Sequence, residues 1–296
     1  MDAGPSIALV QSGRSLLPEL VAYESYFLRN HFRTEIWSSY EFACDAGLDA
    51  VLVFYGWVPR SRRRPNFLVA DLNSRSTGKY RWWKDAAKGA FNHRPDLLIT
   101  QNNYTASMCV GKGAVPEVRR GMGYFGNLVR PLGQPDYDVI YAGTLRRRGL
   151  PQALLHLARL GLRVAVVSPD RVELRHQGIE ELGLLSLEAT YEAYSRSRVG
   201  LNFIPIEAPY IYQDSTKLIE YNAAGLGTLT TRYPLVQEFE KMRKGRFLYW
   251  SLDLNAQEIC DFDYTTADVT DLDWPVLLDA TPLASQIRRM LSRGGV

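Results

Sequence analysis

Little in this 296-residue sequence commits it to a metal centre, a disulfide framework or a membrane span. Its three cysteines, Cys44, Cys109 and Cys260, lie far apart and form no C-x-x-C pair. That argues against a zinc knuckle and against a disulfide scaffold. The four histidines, His31, His93, His156 and His176, stand singly, with no H-E-x-x-H, so no bound metal is expected. No apolar run approaches the ~20 residues of a membrane-spanning helix. The opening MDAGPSIALVQSG has neither the basic flank nor the apolar stretch of a secretion signal. A reduced, cytoplasmic setting is therefore expected. Phosphate motifs are equally scarce. STGK at 76–79 lacks the earlier glycine of a P-loop, and no G-x-S-x-G elbow occurs. One G-x-G-x-x-G exists, at Gly121, Gly123 and Gly126. It follows PEVRR, and Pro131 soon interrupts any helix, so it reads as a loop and not as a dinucleotide cofactor site.

What the sequence has is ordinary soluble composition, 46% hydrophobic and 23% charged, with a net charge of +3. The charge is uneven. Residues 1–133 carry 17 Lys and Arg against 11 Asp and Glu, whereas the remainder is mildly acidic. The basic half contains RSRRRP at 60–65. It would suit an anionic partner such as a lipid phosphate, a membrane face or nucleic acid; a solvated arginine loop is the alternative.

Short apolar runs alternate with helical stretches. Strands are expected at 6–11, 48–56, 66–71 and 96–101, with helices near 19–30 and at 79–91. The pattern restarts with strands at 137–143, 162–168, 199–204, 227–231 and 246–250, and with helices at 150–161, 188–197, 215–224 and 281–293. Runs with little internal alternation, separated by helices, argue parallel sheets covered on both faces. The prolines and glycines of GNLVRPLGQPDYD at 126–138 mark a linker. The fold class is therefore α/β, two Rossmann-like parallel-sheet domains. The first covers 1–130 and the second 131–280, with a helix at 281–296 crossing back to the first. Two such domains facing each other would make a cleft for a ligand.

Two segments point to chemistry. In YAGTLRRRGLP, at 141–151, a strand ends, a glycine turns the chain and a helix follows three arginines. Helix starts favour anions, and Arg146, Arg147 and Arg148 can add charge-assisted contacts to a diphosphate. In STKLIEYNAAGLGTLTT, at 215–231, Lys217 falls in the first helical turn, where a cation opposes the dipole. Glu220 shares its face. A carboxylate there can accept both hydroxyls of a ribose; the alternative is a surface ion pair of a few tenths of a kcal/mol.

Together these segments resemble the carboxyl-terminal domain of glycosyltransferases of the two-Rossmann B fold, a family that includes glycogen synthases and bacterial polysaccharide transferases. AGTLRRRG resembles that family's strand–G-R-L–loop–K-G segment, and KLIEYNAAGLGTLTT follows its K-L-x-E-x-x-A-x-G-x-P-V-x-x-T segment. The likeness implies that Glu220 holds the donor ribose. Arg148 would take the place of the diphosphate lysine, Lys217 would lie near the phosphates, and Gly143, Thr144 and Arg146 would line the same site. Thr144 replaces the arginine of G-R-L. Tyr212 stands where retaining members carry an acid, so retention is not supported; Tyr210 and Tyr212 are candidates to stack on a base or sugar, with packing aromatics the alternative. DFD at 261–263 and DLD at 271–273 read as solvated acids and not as a metal-binding D-x-D.

The implied reaction is sugar transfer from a nucleoside diphosphate sugar, expected to be a UDP-sugar, to an acceptor hydroxyl. No cofactor or metal is expected, because side-chain cations and N–H groups would stabilise the leaving diphosphate. An inverting enzyme needs a base. Asp71, at the end of the 66–71 strand, is the first candidate and Glu24 the second. The expected acceptor is a bacterial glycan or a lipid-linked saccharide, with peripheral contact to an anionic membrane. The basic first half keeps a transferase acting on modified DNA open, as well as a non-catalytic sugar- or nucleic-acid-binding protein. Within the fold, the alternative is a nucleotide-sugar epimerase.

Overall fold

The computed structural model describes residues 4–11, 17–54, 56–76, 78–107, 115–170 and 172–294. The chain divides into two compact units, one running to Gly121 and resuming at Trp274, the other spanning Met122–Asp273.

The first unit runs β1 (Ser6–Val10), α1 (Pro18–Arg29), β2 (Arg33–Trp37), α2 (Tyr40–Asp45), β3 (Ala50–Phe54), β4 (Leu68–Leu72), α3 (Arg81–Phe91), β5 (Leu97–Thr100), α4 (Asn103–Ala106) and β6 (Glu117–Arg119). All its strands are parallel, in the order β2-β1-β3-β4-β5-β6. The four inner strands are almost wholly buried, as their unbroken apolar runs require. The edge strands β2 and β6 alternate with polar residues and are half exposed.

The second unit runs β7 (Tyr137–Ala142), α5 (Leu150–Arg159), β8 (Val164–Val167), β9 (Ile179–Gly183), α6 (Leu187–Ser195), β10 (Ser197–Asn202), α7 (Thr216–Ala223), β11 (Gly227–Thr230), α8 (Pro234–Met242), β12 (Leu248–Tyr249) and α9 (Ala256–Asp261). It too is all parallel, in the order β12-β11-β10-β7-β8-β9. Successive residues of β7 face opposite sides. Val139 and Tyr141 join the α5 core with Leu154 and Leu157, while Ile140 and Ala142 join Tyr191, Tyr194 and Tyr221. Gly200 in β10 admits the Tyr221 ring; a Cβ there would lie 2.3 Å from it.

The chain then returns to the first unit as α10 (Trp274–Asp279) and α11 (Leu283–Gly294). The Ala284 N–H donates to Tyr26 Oη at 3.1 Å, and Arg288 lies over the Phe32 ring at 4.9 Å.

Each sheet has one place where strand order reverses. In the second unit the chain leaves β7 for β8 and β9, then restarts at β10 beside β7 and proceeds to β11 and β12 on the other side. The connections after β7 and β10 therefore diverge, and the crevice at their carboxyl ends is where open α/β sheets bind ligands. In the first unit the reversal falls between β1 and β3.

Candidate functional site

The two segments singled out in the sequence occupy the reversal of the second unit. Residues 143–149 follow β7, and the connection after β10 leads into α7. Gly143 takes φ +145°, with its N–H bonded to Val167 O at 2.9 Å. Gly149, at φ +83°, turns the chain into α5. Both angles lie where a side chain is strained.

Asp170, beyond β8, anchors this loop. It accepts from Thr144 Oγ1 at 2.5 Å, from Leu145 N–H at 2.8 Å and from Arg146 Nε at 2.9 Å. The Thr144 bond foremost, with the Leu145 amide and Arg146, holds its carboxyl below the usual aspartate range despite the opposing effect of burial. The three arginines are not equivalent. Arg147 turns inward and donates to Phe203 O at 2.9 Å, tying the loop after β7 to the chain leaving β10. Arg148 is exposed, and the Arg146 side chain is 83% exposed, so both cations stand in solvent.

At the start of α7, Ser215 Oγ accepts the Leu218 N–H and donates to Asn202 Oδ1 at 2.7 Å, fixing the helix start to the end of β10. Lys217 Nζ donates to Glu220 Oε2 at 2.6 Å, and Tyr194 Oη donates to the same oxygen at 2.8 Å. The Glu220 residue is only 2% exposed, so this is no surface ion pair. Burial and the Glu220 charge push the Tyr194 phenol well above its usual range, so it remains a donor. Both bonds fall on Oε2. Tyr212 is 43% exposed in the turn before α7. The loop after β7 and the start of α7 thus bring Gly143, Thr144, Arg146, Arg148, Lys217 and Glu220 to the ends of neighbouring strands. A surface cavity of about 450 Å³ lies beyond β8 and is bordered by Ser168, Asp170, Glu173, Glu181 and Leu184. Its acids suit hydroxyl groups better than phosphate.

The first-unit expectations fare differently. Asp71 is the penultimate residue of β4, and it is 0% exposed. Arg120 Nη2 and Tyr23 Oη both donate to its Oδ2, at 2.5 and 2.6 Å. Asp71, expected as a base, is thus enclosed by Arg120 and Tyr23 and not exposed to solvent. Glu24 is half-buried midway along α1. The network around Asp71 went unseen in the sequence. Arg120 also donates to Tyr23 Oη at 2.6 Å and to Asn73 Oδ1 at 2.7 Å, and Asn73 Nδ2 reaches Glu19 Oε1 at 3.2 Å. Burial works against the Arg120 charge, yet Asp71 and Tyr23 outweigh it and keep the guanidinium protonated. Glu19 sits in the first turn of α1, at the edge where the strands end.

Other motifs resolve into supports. Arg62, Arg63 and Arg64 of RSRRRP pair with Glu41, Asp45 and Asp96 at 2.5, 2.7 and 2.6 Å, so much of that charge is neutralised locally. Gly126 of the glycine motif donates its N–H to Asp273 at 2.9 Å, and a Cβ there would meet that carboxylate. Asp271 pairs with Arg243 and Asp263 with Arg246.

No protein-family profile and no curated protein matches this chain. Solved structures do. The glycosyltransferase AviGT4, involved in avilamycin A biosynthesis, is similar over 99% of both chains, with a TM-score of 0.63 at 11% identity. UDP-N-acetylglucosamine 2-epimerase from Rickettsia bellii is similar over 98% of this chain and 96% of its own, at 12% identity and a TM-score of 0.48. The calicheamicin glycosyltransferase CalG4 is similar over 97% and 93%, at 11% identity and a TM-score of 0.42. At such identities the likeness establishes the fold, and it rests on AviGT4. The chain has the α/β two-domain B fold found in that glycosyltransferase.

Proposed function

We propose that this chain is a glycosyltransferase that moves a sugar from a nucleoside diphosphate sugar, a UDP-sugar in the first instance, to an acceptor hydroxyl. The observation that carries the reading is the Lys217–Glu220–Tyr194 cluster, with Glu220 and Tyr194 buried and Lys217 part-exposed, on the connection after β10 at the strand-order reversal where the arginine-bearing glycine loop follows β7. A nucleoside diphosphate needs an acceptor for its ribose hydroxyls and cations for its phosphates. Glu220 Oε1 carries neither of the two bonds on that carboxylate and would take the ribose. Arg146, Arg148 and the Lys217 ammonium would meet the diphosphate, with backbone N–H groups of residues 143–149. Tyr212 would stack on the base or sugar.

In the reaction the anomeric C–O bond to the diphosphate breaks and a bond from the acceptor oxygen to the anomeric carbon forms. The diphosphate leaves with the bonding pair, and the acceptor proton passes to a base. The first unit would hold the acceptor, a saccharide or a lipid-linked saccharide. For the base we favour Glu19, only 5% exposed but at the strand-end edge of that unit, over the half-buried Glu24 further along α1.

The test is release of UDP from a panel of UDP-sugars, with and without saccharide acceptors. A transferase releases UDP faster with its acceptor and yields a new glycoside. Conversion of the donor to a sugar epimer without UDP release would replace this reading with an epimerase. Neither UDP release nor donor conversion, in a chain that binds no nucleotide, would end it.

A further inference from the structure

Helix α3 turns its apolar side outward. At 100° per residue, Trp82, Trp83, Ala86 and Ala90 share one side, Arg81, Lys84, Asp85 and Lys88 share the other, and Phe91 falls beside Lys84 at the last turn. Trp82 and Trp83 are each 77% exposed and Phe91 61%, and no residue of the helix is buried. A surface helix ordinarily does the reverse, with its apolar stripe against the core. The polar side holds this one in place. Asp85 accepts the Ser76 N–H at 3.1 Å and pairs with Arg75 at 3.6 Å. At the far end Phe91 O accepts the Arg60 N–H at 2.8 Å, while the Asn92 side chain bonds Val58 N–H and Gly56 O, each at 3.0 Å. The outward face is therefore anchored from beneath and not a frayed helix.

Its surroundings are aromatic and basic. Tyr80 is 61% exposed and Trp57 51%. Trp57, Ser76, Lys84 and Lys88 border a surface cavity of about 360 Å³ on one flank of the helix. Between Lys79 and Arg94 the sequence carries five cations and a single acid, Asp85. Trp and Phe flanked by Lys and Arg are the residues that partition into the headgroup layer of a bilayer. A protein partner is the poorer match, since Lys is depleted from interface centres. A second copy would bring like charges together. No helix among the described residues is long and apolar enough to cross a membrane, so contact would be from the side.

We propose that α3 docks the first unit on an anionic lipid bilayer. Trp82 and Trp83 enter the headgroup–acyl boundary, to ~5–10 Å, and Lys79, Lys84 and Lys88 meet lipid phosphates. This stands apart from the chemistry of the second unit.

The test is cosedimentation of the full chain with vesicles of phosphatidylcholine and phosphatidylglycerol in equal parts, and of phosphatidylcholine alone. The proposal expects binding to the anionic vesicles, a blue shift of tryptophan emission, and weakening with added salt. Trp82→Ala/Trp83→Ala should lose about tenfold or more in vesicle affinity while keeping the parental melting temperature, since both side chains stand in solvent. Lys84→Gln/Lys88→Gln should lose the preference for anionic vesicles. The proposal fails if the parent ignores anionic vesicles, or if the tryptophan variant binds them as the parent does. It also fails if the parent is a dimer that this variant makes monomeric, because the face would then belong to a second copy.

Discussion

Replacing Glu220 with Gln separates donor binding from folding. Gln keeps the volume, and its amide oxygen can still accept from Tyr194 Oη, now 2.8 Å from Oε2. What is lost is the charge. Toward the fold, the charge partner is Lys217, whose side chain is 26% exposed. Solvent screening at that exposure limits the loss to about 1 kcal/mol, or ~2–4 °C in melting temperature for a domain of this size. Toward a ribose, a carboxylate accepting hydroxyls contributes about 2–3 kcal/mol more than a neutral, misoriented amide, which is roughly 30- to 150-fold in Kd. Glu220→Ala is the worse variant, because it strands the buried Tyr194 hydroxyl at ~1–3 kcal/mol and confounds affinity with unfolding. Calorimetric titration with UDP, paired with a thermal melt, reads both quantities. Unchanged UDP affinity in Glu220→Gln, with the melt within a few degrees of the parent, would refute the ribose role.

Asp170→Asn should lower the melting temperature by a few degrees, for ~1–2 kcal/mol of charge-assisted bonding. Because the folded Asp170 pKa is depressed, the gap between parent and variant should be full above about pH 4 and close as pH falls further. A gap that widened in acid would contradict this. Asp71→Asn leaves the Arg120 guanidinium, 1% exposed in its side chain, without its counter-charge. It should lose ~3–5 kcal/mol in urea unfolding, partly restored by adding Arg120→Met; a loss below ~1 kcal/mol would remove the ion pair as a support of the first unit. Glu19→Gln should cut transfer by ~100-fold or more with donor affinity kept, whereas Glu24→Gln should leave turnover near parental; the opposite ranking would move the base to Glu24.

The inner strands were legible because they read as unbroken apolar runs, each satisfied by neighbours on two sides and helices on two faces. The expected runs at 48–56, 66–71, 96–101 and 137–143 contain or overlap β3, β4, β5 and β7. The strands not foreseen, β2 and β9, are sheet-edge segments with polar residues, RTEIW and IEELG. An edge strand has one pairing partner and a wet side, so it carries no apolar signature. The candidate site was half legible. Lys217 and Glu220 could be paired by helical spacing, and the arginine loop by its glycines. Asp170 was missed, although an acid just beyond the strand VAVV, beside a basic loop, is a readable hint. Arg147 turning inward between two outward arginines has no local signal. Nor does Arg120, whose partners lie up to 97 residues away. The exposed face of α3 is a different failure. Periodicity identifies an amphipathic helix but not which side faces solvent, and here the tryptophan side does.

The central claim is that a nucleoside diphosphate sits at the strand-order reversal of the second unit. The most direct measurement is a UDP titration followed by backbone amide resonances of the native chain. The account predicts saturable shifts concentrated at residues 143–149 and 215–220, with the largest changes at the Gly143 loop and the start of α7. Saturable shifts elsewhere, or none at millimolar UDP, would contradict it.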